Sequence, residues 1–289
     1  MGAVALLLIF LGMMLIDREK VISNINLSLS PTEAGILRGI VIGDKGGIDR
    51  EMYEKLVNSG LIHMMVASGA NVMLLSGVLI GNFAGIFGRK KIIVFVLGIL
   101  FWYAGIVNYE ASILRAVLLV VTMYLGQILG RKYDWKRGLI LVIAMLLVVA
   151  VEFWKNTGFW LSIVAFLIIS IKKESGNWMK TVWVGLGTAP IIGFVFGKIS
   201  LAGVFTNILV LFLVETVTVV GWLGVLGGLL YFDLGRVILY LVVPILRYIS
   251  MIVDVFGQSG VVVVSSQFNY LLIGGWYMIL WYLLAKIKD

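Results

Sequence analysis

Cysteine is absent from this chain of 289 residues, and histidine occurs only once. Without thiols there can be no disulfide framework and no thiolate metal site, and a single imidazole argues against a histidine-based metal centre. Charged residues make up 13% of the sequence, which is about half the share found in soluble domains. The composition therefore predicts a membrane protein with no metal and no cofactor.

Motifs for nucleotide chemistry are missing as well. The sequence contains no Walker-type phosphate loop, no dinucleotide-binding fingerprint and no nucleophile elbow. One histidine cannot furnish the ligands of a two-metal nuclease centre. We therefore expect this chain to be neither an ATPase nor a nuclease.

Hydrophobic residues make up 61% of the chain, and the mean hydropathy is +1.08. A window of about 20 residues, the length that crosses the hydrocarbon core of a bilayer, finds ten apolar segments. They lie at approximately 2–16, 61–87, 91–108, 112–130, 137–152, 158–171, 180–197, 201–229, 234–257 and 268–285. This pattern predicts an all-α fold, a polytopic transmembrane helical bundle of about ten spans. Pro244 predicts a kink in the ninth.

Lysine and arginine cluster in alternate connections between these segments. The clusters lie near 89–91, 131–137, 172–180 and 286–288 and hold more than half of the 23 basic residues. Cytoplasmic loops concentrate such residues. Ten crossings would place every cluster, and both termini, on the cytoplasmic side of the membrane. The net charge of +8 is then largely a consequence of topology.

Residues 17–60 would lie on the outer face, between a first span over 1–16 and a transmembrane domain over 61–289. Ser30 followed by Pro31 indicates a helix start, and glycines near 43–47 indicate a turn. A second helix is predicted from Asp49 to Asn58. We expect two short amphipathic helices near the membrane surface.

The second apolar segment carries polar and small residues that a lipid-facing helix avoids. They are His63, Ser68, Gly69 and Asn71, and they predict a broken helix. Two interpretations stay open. These residues line a path through the membrane, or His63 is an interfacial side chain and the others pack helices together.

Charged side chains inside the later segments have two interpretations too. Arg115 is placed to contact phosphate, for which its donor geometry is suited, or to pair with Glu110. Glu215 and Arg247 form an ion pair between two helices, or one of them faces an aqueous conduit. Asn207 precedes Glu215 by eight residues and extends a polar stripe on one helix face.

Several short motifs follow one another along the chain. They are Gly43-Asp44, Gly60-Leu61-Ile62-His63, Ser68-Gly69, Ser112-Ile113-Leu114-Arg115-Ala116, Gly130-Arg131-Lys132, Gly158-Phe159-Trp160-Leu161-Ser162, and a block from Pro190 to Asn207. Their order and spacing resemble the competence domain of the ComEC family, the inner-membrane channels for transforming DNA. Asn71 stands where that family usually has a second histidine. The resemblance implies a minimal form, lacking the OB-type and metallo-β-lactamase-like domains of full-length members.

The resemblance implies that the transmembrane domain is a channel that conducts single-stranded DNA into the cytoplasm during natural transformation. The expected path residues are His63, Ser68, Gly69, Asn71, Arg115, Asn207, Glu215 and Arg247. The residues expected to receive the strand on the outer face are Arg38, Asp44 and Arg50. The implied partners are single-stranded DNA, membrane lipid, a cytoplasmic helicase-like motor and a separate outer DNA receptor. The alternative function is a membrane-embedded enzyme or transporter acting on a phospholipid head group.

Overall fold

The computed structural model describes residues 16–65, 69–130, 134–149, 155, 157–172, 176–200, 202–258, 263–265 and 269–286. These residues form thirteen α-helices, a 3₁₀ helix and two short strands. The α-helices are α1 Arg18–Ser28, α2 Pro31–Ile42, α3 Arg50–Asn58, α4 Gly69–Phe87, α5 Arg89–Ile106, α6 Ala111–Ile128, α7 Trp135–Val149, α8 Thr157–Ile171, α9 Asn177–Phe196, α10 Ala202–Leu230, α11 Phe232–Tyr240, α12 Val243–Phe256 and α13 Tyr270–Lys286. The 3₁₀ helix is Ile62–Met65, and the strands are β1 Lys198–Ser200 and β2 Val263–Ser265.

Nine of the ten predicted apolar segments fall largely within the described residues. Seven of them coincide with one helix each, 61–87 contains the 3₁₀ helix and α4, and 234–257 contains most of α11 and all of α12. The remaining segment, 2–16, lies outside the described residues apart from Ile16. Among the described helices, α6, α9 and α10 are each long and apolar enough to cross a membrane, and α11 with α12 makes a fourth candidate. The predicted all-α membrane bundle is confirmed, and the number of ten spans stays a prediction.

The predicted kink near Pro244 is observed. The helices α11 and α12 meet at an angle of 48°, and Pro244 is the second residue of α12. Because proline has no N–H group, it cannot bond to the carbonyl of Tyr240 and continue the preceding helix. The chain therefore breaks at residues 241–242 before α12 begins.

The chain divides into two compact units. The first consists of residues 1–47, 64–153 and 215–246, and the second of residues 48–63, 154–214 and 247–289. The long helix α10 contributes its first part to the second unit and its remainder to the first. We describe each unit separately.

Residues 17–60 form three helices instead of the predicted two. The predicted start of α2 is confirmed, because the Glu33 carboxylate accepts hydrogen bonds from the Ser30 N–H (3.3 Å) and hydroxyl (2.7 Å). Nine of the twelve residues of α2 are buried, whereas an amphipathic helix would expose one face. The physical reason is that every residue of this helix except Thr32, Glu33 and Arg38 is apolar or small, so the helix has no continuous polar face to expose.

Helix α2 packs directly against the backbone of α10 in the first unit. A Cβ atom at Gly221 would lie 3.0 Å from a methyl group of Leu37 and 2.9 Å from one of Val41. Glycine at this position therefore lets two helices approach more closely than any side chain would allow. Helix α2 can therefore pack closely against a membrane helix.

In the second unit, α13 supplies a donor to the backbone carbonyl that a proline releases in α9. Pro190 cannot donate to the carbonyl of Leu186 four residues earlier. The indole N–H of Trp276 donates to that carbonyl at 2.9 Å, and the Tyr277 hydroxyl donates to the carbonyl of Gly187 at 2.9 Å. A neighbouring helix thus replaces the missing intrahelical bond, as membrane proteins require.

The two strands form a small antiparallel ribbon in the second unit. Lys198 pairs with Ser265, and Ser200 pairs with Val263. The ribbon connects the chain between α9 and α10 to the chain before α13. This ribbon was not predicted, because segments of three residues are too short to show the alternation that distinguishes a strand from a helix.

Candidate functional site

The predicted interruption of the second apolar segment is present. Residues Ile62–Met65 form a 3₁₀ helix, and α4 begins at Gly69. Ser68 lies outside the described residues. The start of α4 is the centre of the candidate site in the first unit.

Gly69 and Arg115 lie side by side. A Cβ atom built on Gly69 would stand 3.6 Å from Nη2 of Arg115 and 3.2 Å from the Cβ atom of Ala116. Arg115 is 5% exposed and lies in the second turn of α6. The structure therefore brings the Ser-Gly motif and the arginine motif together, although 46 residues separate them in the sequence.

Asn71 lies one half-turn further along α4 and is buried. Its Nδ2 atom donates to the carbonyl oxygen of Ile40 at 3.2 Å and contacts the Tyr103 hydroxyl oxygen at 3.4 Å. The Tyr103 hydroxyl in turn donates to the carbonyl of Val41 at 3.2 Å. The last carbonyls of a helix have no intrahelical donors, so these side chains complete the buried end of α2. This arrangement corresponds to the packing interpretation of Asn71.

Tyr103 is a side chain of the candidate site that sequence reasoning missed. It is 1% exposed, and its ring packs edge-on against Trp222 with centroids 5.6 Å apart. The available signal was its place in the Phe-Trp-Tyr run of the third segment. Interfacial aromatic belts produce the same composition, which concealed its role as a donor to α2.

Two residues expected to receive DNA, Arg38 and Asp44, form an ion pair with each other. Arg38 donates to Asp44 through Nε (2.8 Å) and through Nη2, and Arg18 lies 3.3 Å from the other carboxylate oxygen. Arg18 also donates to the carbonyls of Ile42 (3.4 Å) and Ile106 (2.9 Å), at the ends of α2 and α5. This cluster holds the glycine-rich turn after α2.

Burial alone would raise the pKa of the Asp44 carboxyl group. Hydrogen bonds from Arg38 and from the Gly46 N–H, together with the charges of Arg38 and Arg18, outweigh burial and hold the pKa below its ordinary 3.8. At the start of α6, burial raises the pKa of Glu110, against the opposing charges of Lys45 and Arg18. Asp44 is therefore ionised at neutral pH and serves as the anchor of the cluster.

Arg50 belongs to the second unit and lies at the start of α3. Its side chain is 93% exposed, and it pairs with Glu54 one turn later at 3.1 Å. Exposed pairs of this kind contribute little to stability. Arg50 is thus accessible to a ligand, whereas Arg38 is held in an ion pair with Asp44.

The Gly-Leu-x-His motif contacts the beginning of α10 in the second unit. Gly60 has a left-handed backbone (φ 77°), and a Cβ atom there would lie 2.6 Å from the Cα atom of Gly203. The Thr206 hydroxyl donates to the carbonyl of Ser59 at 2.8 Å. His63 is exposed, and its Nδ1 atom is 3.0 Å from the Gly60 carbonyl oxygen. That bond holds the ring against the turn through Nδ1, and Nε2 takes no part in it.

Helix α3 is attached to the end of α12 in the same unit. Lys55 pairs with Asp254 at 2.9 Å and with Glu51 at 2.8 Å. The hydrogen bonds to these two carboxylates raise the pKa of Lys55 well above its ordinary value. Asn58 donates to the carbonyl of Gly257 at 3.2 Å. Two residues predicted to form a separate outer helix thus contact the ninth apolar segment.

The remaining predicted path residues are distributed between the units. Asn207 is half-buried on α10 in the second unit, and its Oδ1 atom is buried with no hydrogen-bond partner among the described residues. Glu215 is exposed in the first unit, and Arg247 is exposed in the second. The ion pair proposed between them stays a prediction, as does the common path.

These features define a polytopic α-helical membrane protein with a buried arginine beside an interrupted span. A family model described as "Competence protein" matches residues 40–289. The chain therefore belongs to the competence protein family. The motifs that contact one another in each unit, from Gly60 to Asn207, all lie within the matched region.

Two curated relatives are similar to parts of the chain. An uncharacterized protein of Aquifex aeolicus is 28% identical over 155 residues, which cover 51% of this chain and 37% of the relative. ComE operon protein 3 of Bacillus subtilis is 24% identical over 209 residues, which cover 66% of this chain and 26% of the relative. The chain thus aligns with well under half the length of either relative. No solved structure gives a significant match.

Proposed function

We propose that this chain acts in DNA uptake as a conduit that passes single-stranded DNA across the cytoplasmic membrane during natural transformation. Membership of the competence family and the similarity to ComE operon protein 3 support a role in competence. The membrane helices supply a barrier through which a strand must be conducted. Both termini would face the cytoplasm, as the distribution of basic residues predicts.

The observation that carries the proposal is the position of Arg115. This side chain is 5% exposed within a candidate membrane span, and a guanidinium in such a place is costly unless it is paired or faces water. Its planar fork of donors suits phosphate oxygens. Phosphates occur in every nucleotide, so a contact of this kind would be blind to sequence, as a conduit for arbitrary DNA requires.

Helix α2 would close the passage in the resting state. Gly69 and Asn71 lie within the first turn of α4, and this turn contacts Arg115 through Gly69 and the end of α2 through Asn71. A strand moving past Arg115 would therefore have to displace the buried α2. The hydrogen bonds from Asn71 and Tyr103 would hold this helix until DNA arrives.

The other predicted residues receive different roles in this proposal. Arg50 would meet the incoming strand, because it is exposed, whereas Arg38 and Asp44 would shape the outer turn. His63, Asn207 and Arg247 would line the part of the path formed by the second unit, and Glu215 would line the part formed by the first unit. Contacts must be weak for the strand to move on.

Energy for transport would come from other proteins. A cytoplasmic helicase-like motor would pull the strand, and a separate outer receptor would deliver it. The chain itself would be a channel and not an enzyme. Surrounding membrane lipid would complete the assembly.

Arg115→Gln tests the proposal in a transformation assay with the chromosomal copy replaced. We expect DNA uptake to fall roughly tenfold or more, since a hydrogen bond from a charged group contributes about 1.5–3 kcal/mol. Arg137→Gln is the matched control, because that arginine is 89% exposed. Protein abundance is measured in both strains. Normal uptake by the Arg115 variant at normal abundance would refute the proposal.

A further inference from the structure

A groove of about 420 Å³ opens beside α5 in the first unit. Among the described residues, its polar end is lined by Asp17 and Arg18 at the start of α1. Along and just after α5 it is lined by Gly98, Phe101, Gly105 and Tyr109. The groove is therefore charged at the outer end of the third apolar segment and apolar along the segment itself.

The apolar part of the groove is a slot on one face of α5. Gly98 and Gly105 are seven residues apart, which is about two turns of helix and the same face. A Cβ atom at Gly105 would meet the Tyr109 hydroxyl at 3.5 Å, which is an ordinary contact. Phe101 is 46% exposed along this face. An apolar slot inside a membrane suits a hydrocarbon chain.

The polar end has one group of each charge. Arg18 has five N–H donors. Its Nη1 atom donates to the carbonyls of Ile106 and Ile42, and its Nη2 atom lies 3.3 Å from an Asp44 carboxylate oxygen in an ion pair. Neither Nε nor Nη2 donates a hydrogen bond to the part of the chain that the structure describes. Asp17 uses one carboxylate oxygen to cap α1, through the Lys20 N–H at 2.8 Å, and retains the second. Adjacent guanidinium and carboxylate groups complement a zwitterion.

Tyr109 stands at the mouth of the groove on a strained loop. Asn108 and Tyr109 have consecutive left-handed backbones, with φ of 55° and 51°. Such conformations are strained for residues other than glycine, and they cluster at ligand sites. The ring is 58% exposed. Tyrosine is favoured at the level of lipid head groups, where one end of a site is apolar and the other is wet.

We propose that this groove binds one phospholipid whose head group is zwitterionic and carries a primary ammonium. The lipid phosphate accepts from Arg18, the ammonium pairs with Asp17, and one acyl chain lies along Gly98 and Gly105. The change from polar to apolar along the groove follows the direction of a lipid in the bilayer. A nucleotide fits less well, because it has no hydrocarbon chain for the slot. This inference does not depend on DNA conduction, and the lipid is bound and not converted.

Native mass spectrometry of the full chain, released from vesicles of equal phosphatidylethanolamine and phosphatidylglycerol, tests the site. We expect one retained phosphatidylethanolamine. Gly105→Leu fills the slot and should lower retention roughly tenfold, since displacing even two methylene groups is sufficient for that loss. Gly85→Leu on α4 is the matched control, because a Cβ atom there meets nothing within 4 Å.

Asp17→Asn tests the head-group assignment while preserving a residue that caps helices well. The variant should lose its preference for phosphatidylethanolamine over phosphatidylglycerol. Equal lipid retention by wild type and Gly105→Leu would overturn the site, and a wild-type preference for phosphatidylglycerol would overturn the zwitterion assignment. A single-stranded oligonucleotide that displaces the lipid would assign the groove to DNA instead. Thermal unfolding of each variant verifies that it is folded.

Discussion

The amide of Asn71 donates to the carbonyl oxygen of Ile40, 3.2 Å away. The donor belongs to the interrupted second apolar segment, and the acceptor lies in the last turn of α2. A helix that the sequence assigned to the outer surface is thereby completed by a side chain from the membrane bundle. Tyr103 makes the equivalent contact to the next carbonyl.

Asn71→Leu should destabilise the protein. The substitution leaves the buried Ile40 carbonyl without this donor, and an unsatisfied buried group costs about 1–3 kcal/mol. Thermal unfolding in detergent measures the effect. Asn82→Leu is the matched control on the same helix, because the Asn82 amide is exposed and bonds only within α4, to the Val78 carbonyl at 2.8 Å. Equal loss in both variants would mean that the bond to α2 contributes nothing specific.

A disulfide between positions 39 and 65 should lock α2 in place. An ideal Cβ atom at Gly39 lies 3.4 Å from the Cβ atom of Met65, close to the separation of about 3.5–4.5 Å in disulfides. The native chain has no cysteine, so no other disulfide can form within one chain. We expect the oxidised Gly39→Cys/Met65→Cys protein to lose DNA uptake and to recover it on reduction.

The single-cysteine variants serve as controls for that experiment. Each should take up DNA equally well under oxidising and reducing conditions. If the disulfide forms completely and uptake is unchanged, α2 does not move during conduction, and its proposed role in closing the passage is wrong.

The Asp44 cluster should make the folding stability of the protein fall at low pH. Because the folded-state pKa of Asp44 lies below its ordinary 3.8, the stabilisation is complete above that value and is lost as pH falls through the lowered pKa. Wild type should therefore lose stability steeply below about pH 4. Asp44→Asn should be less stable at neutral pH and show a shallower loss in acid. Parallel pH profiles of thermal unfolding for the two proteins would exclude this role.

Trp276→Phe should destabilise the second unit by about 1–3 kcal/mol, because the Leu186 carbonyl loses its donor. Pro190→Ala restores the N–H group that normally bonds to this carbonyl. The double variant should therefore lose less stability than Trp276→Phe alone, which a double-mutant cycle of thermal unfolding measures. Strictly additive effects would show that Trp276 does not compensate for the proline.

The positions of the helices could be predicted from the sequence, because long apolar runs determine them. The capping pattern at Ser30 and the break near Pro244 were equally accessible, since both depend on neighbouring residues. The burial of α2 could not be predicted from the sequence. Its twelve residues are too few for a span and carry no periodic polar face, so nothing local distinguishes a surface helix from a buried one.

The candidate site was predictable in its residue types and not in its contacts. The interrupted segment was recognised from polar residues in an apolar run, and Arg115 from the cost of a charge there. The partners of Asn71, at Ile40 and Tyr103, lie 31 and 32 residues away. Likewise Trp276 reaches Leu186 across 90 residues. Such pairings arise from tertiary packing, which composition and spacing do not encode.

Photocrosslinking of a strand held in transit tests the central claim most directly. Single-stranded DNA with photoreactive bases and a bulky trailing end would be stalled during uptake, irradiated, and the labelled peptides identified. The account predicts labelling within α6 around Arg115 and within the first turn of α4. Labelling confined to residues 17–60, with none in α4 or α6 of a normally abundant protein, would contradict it.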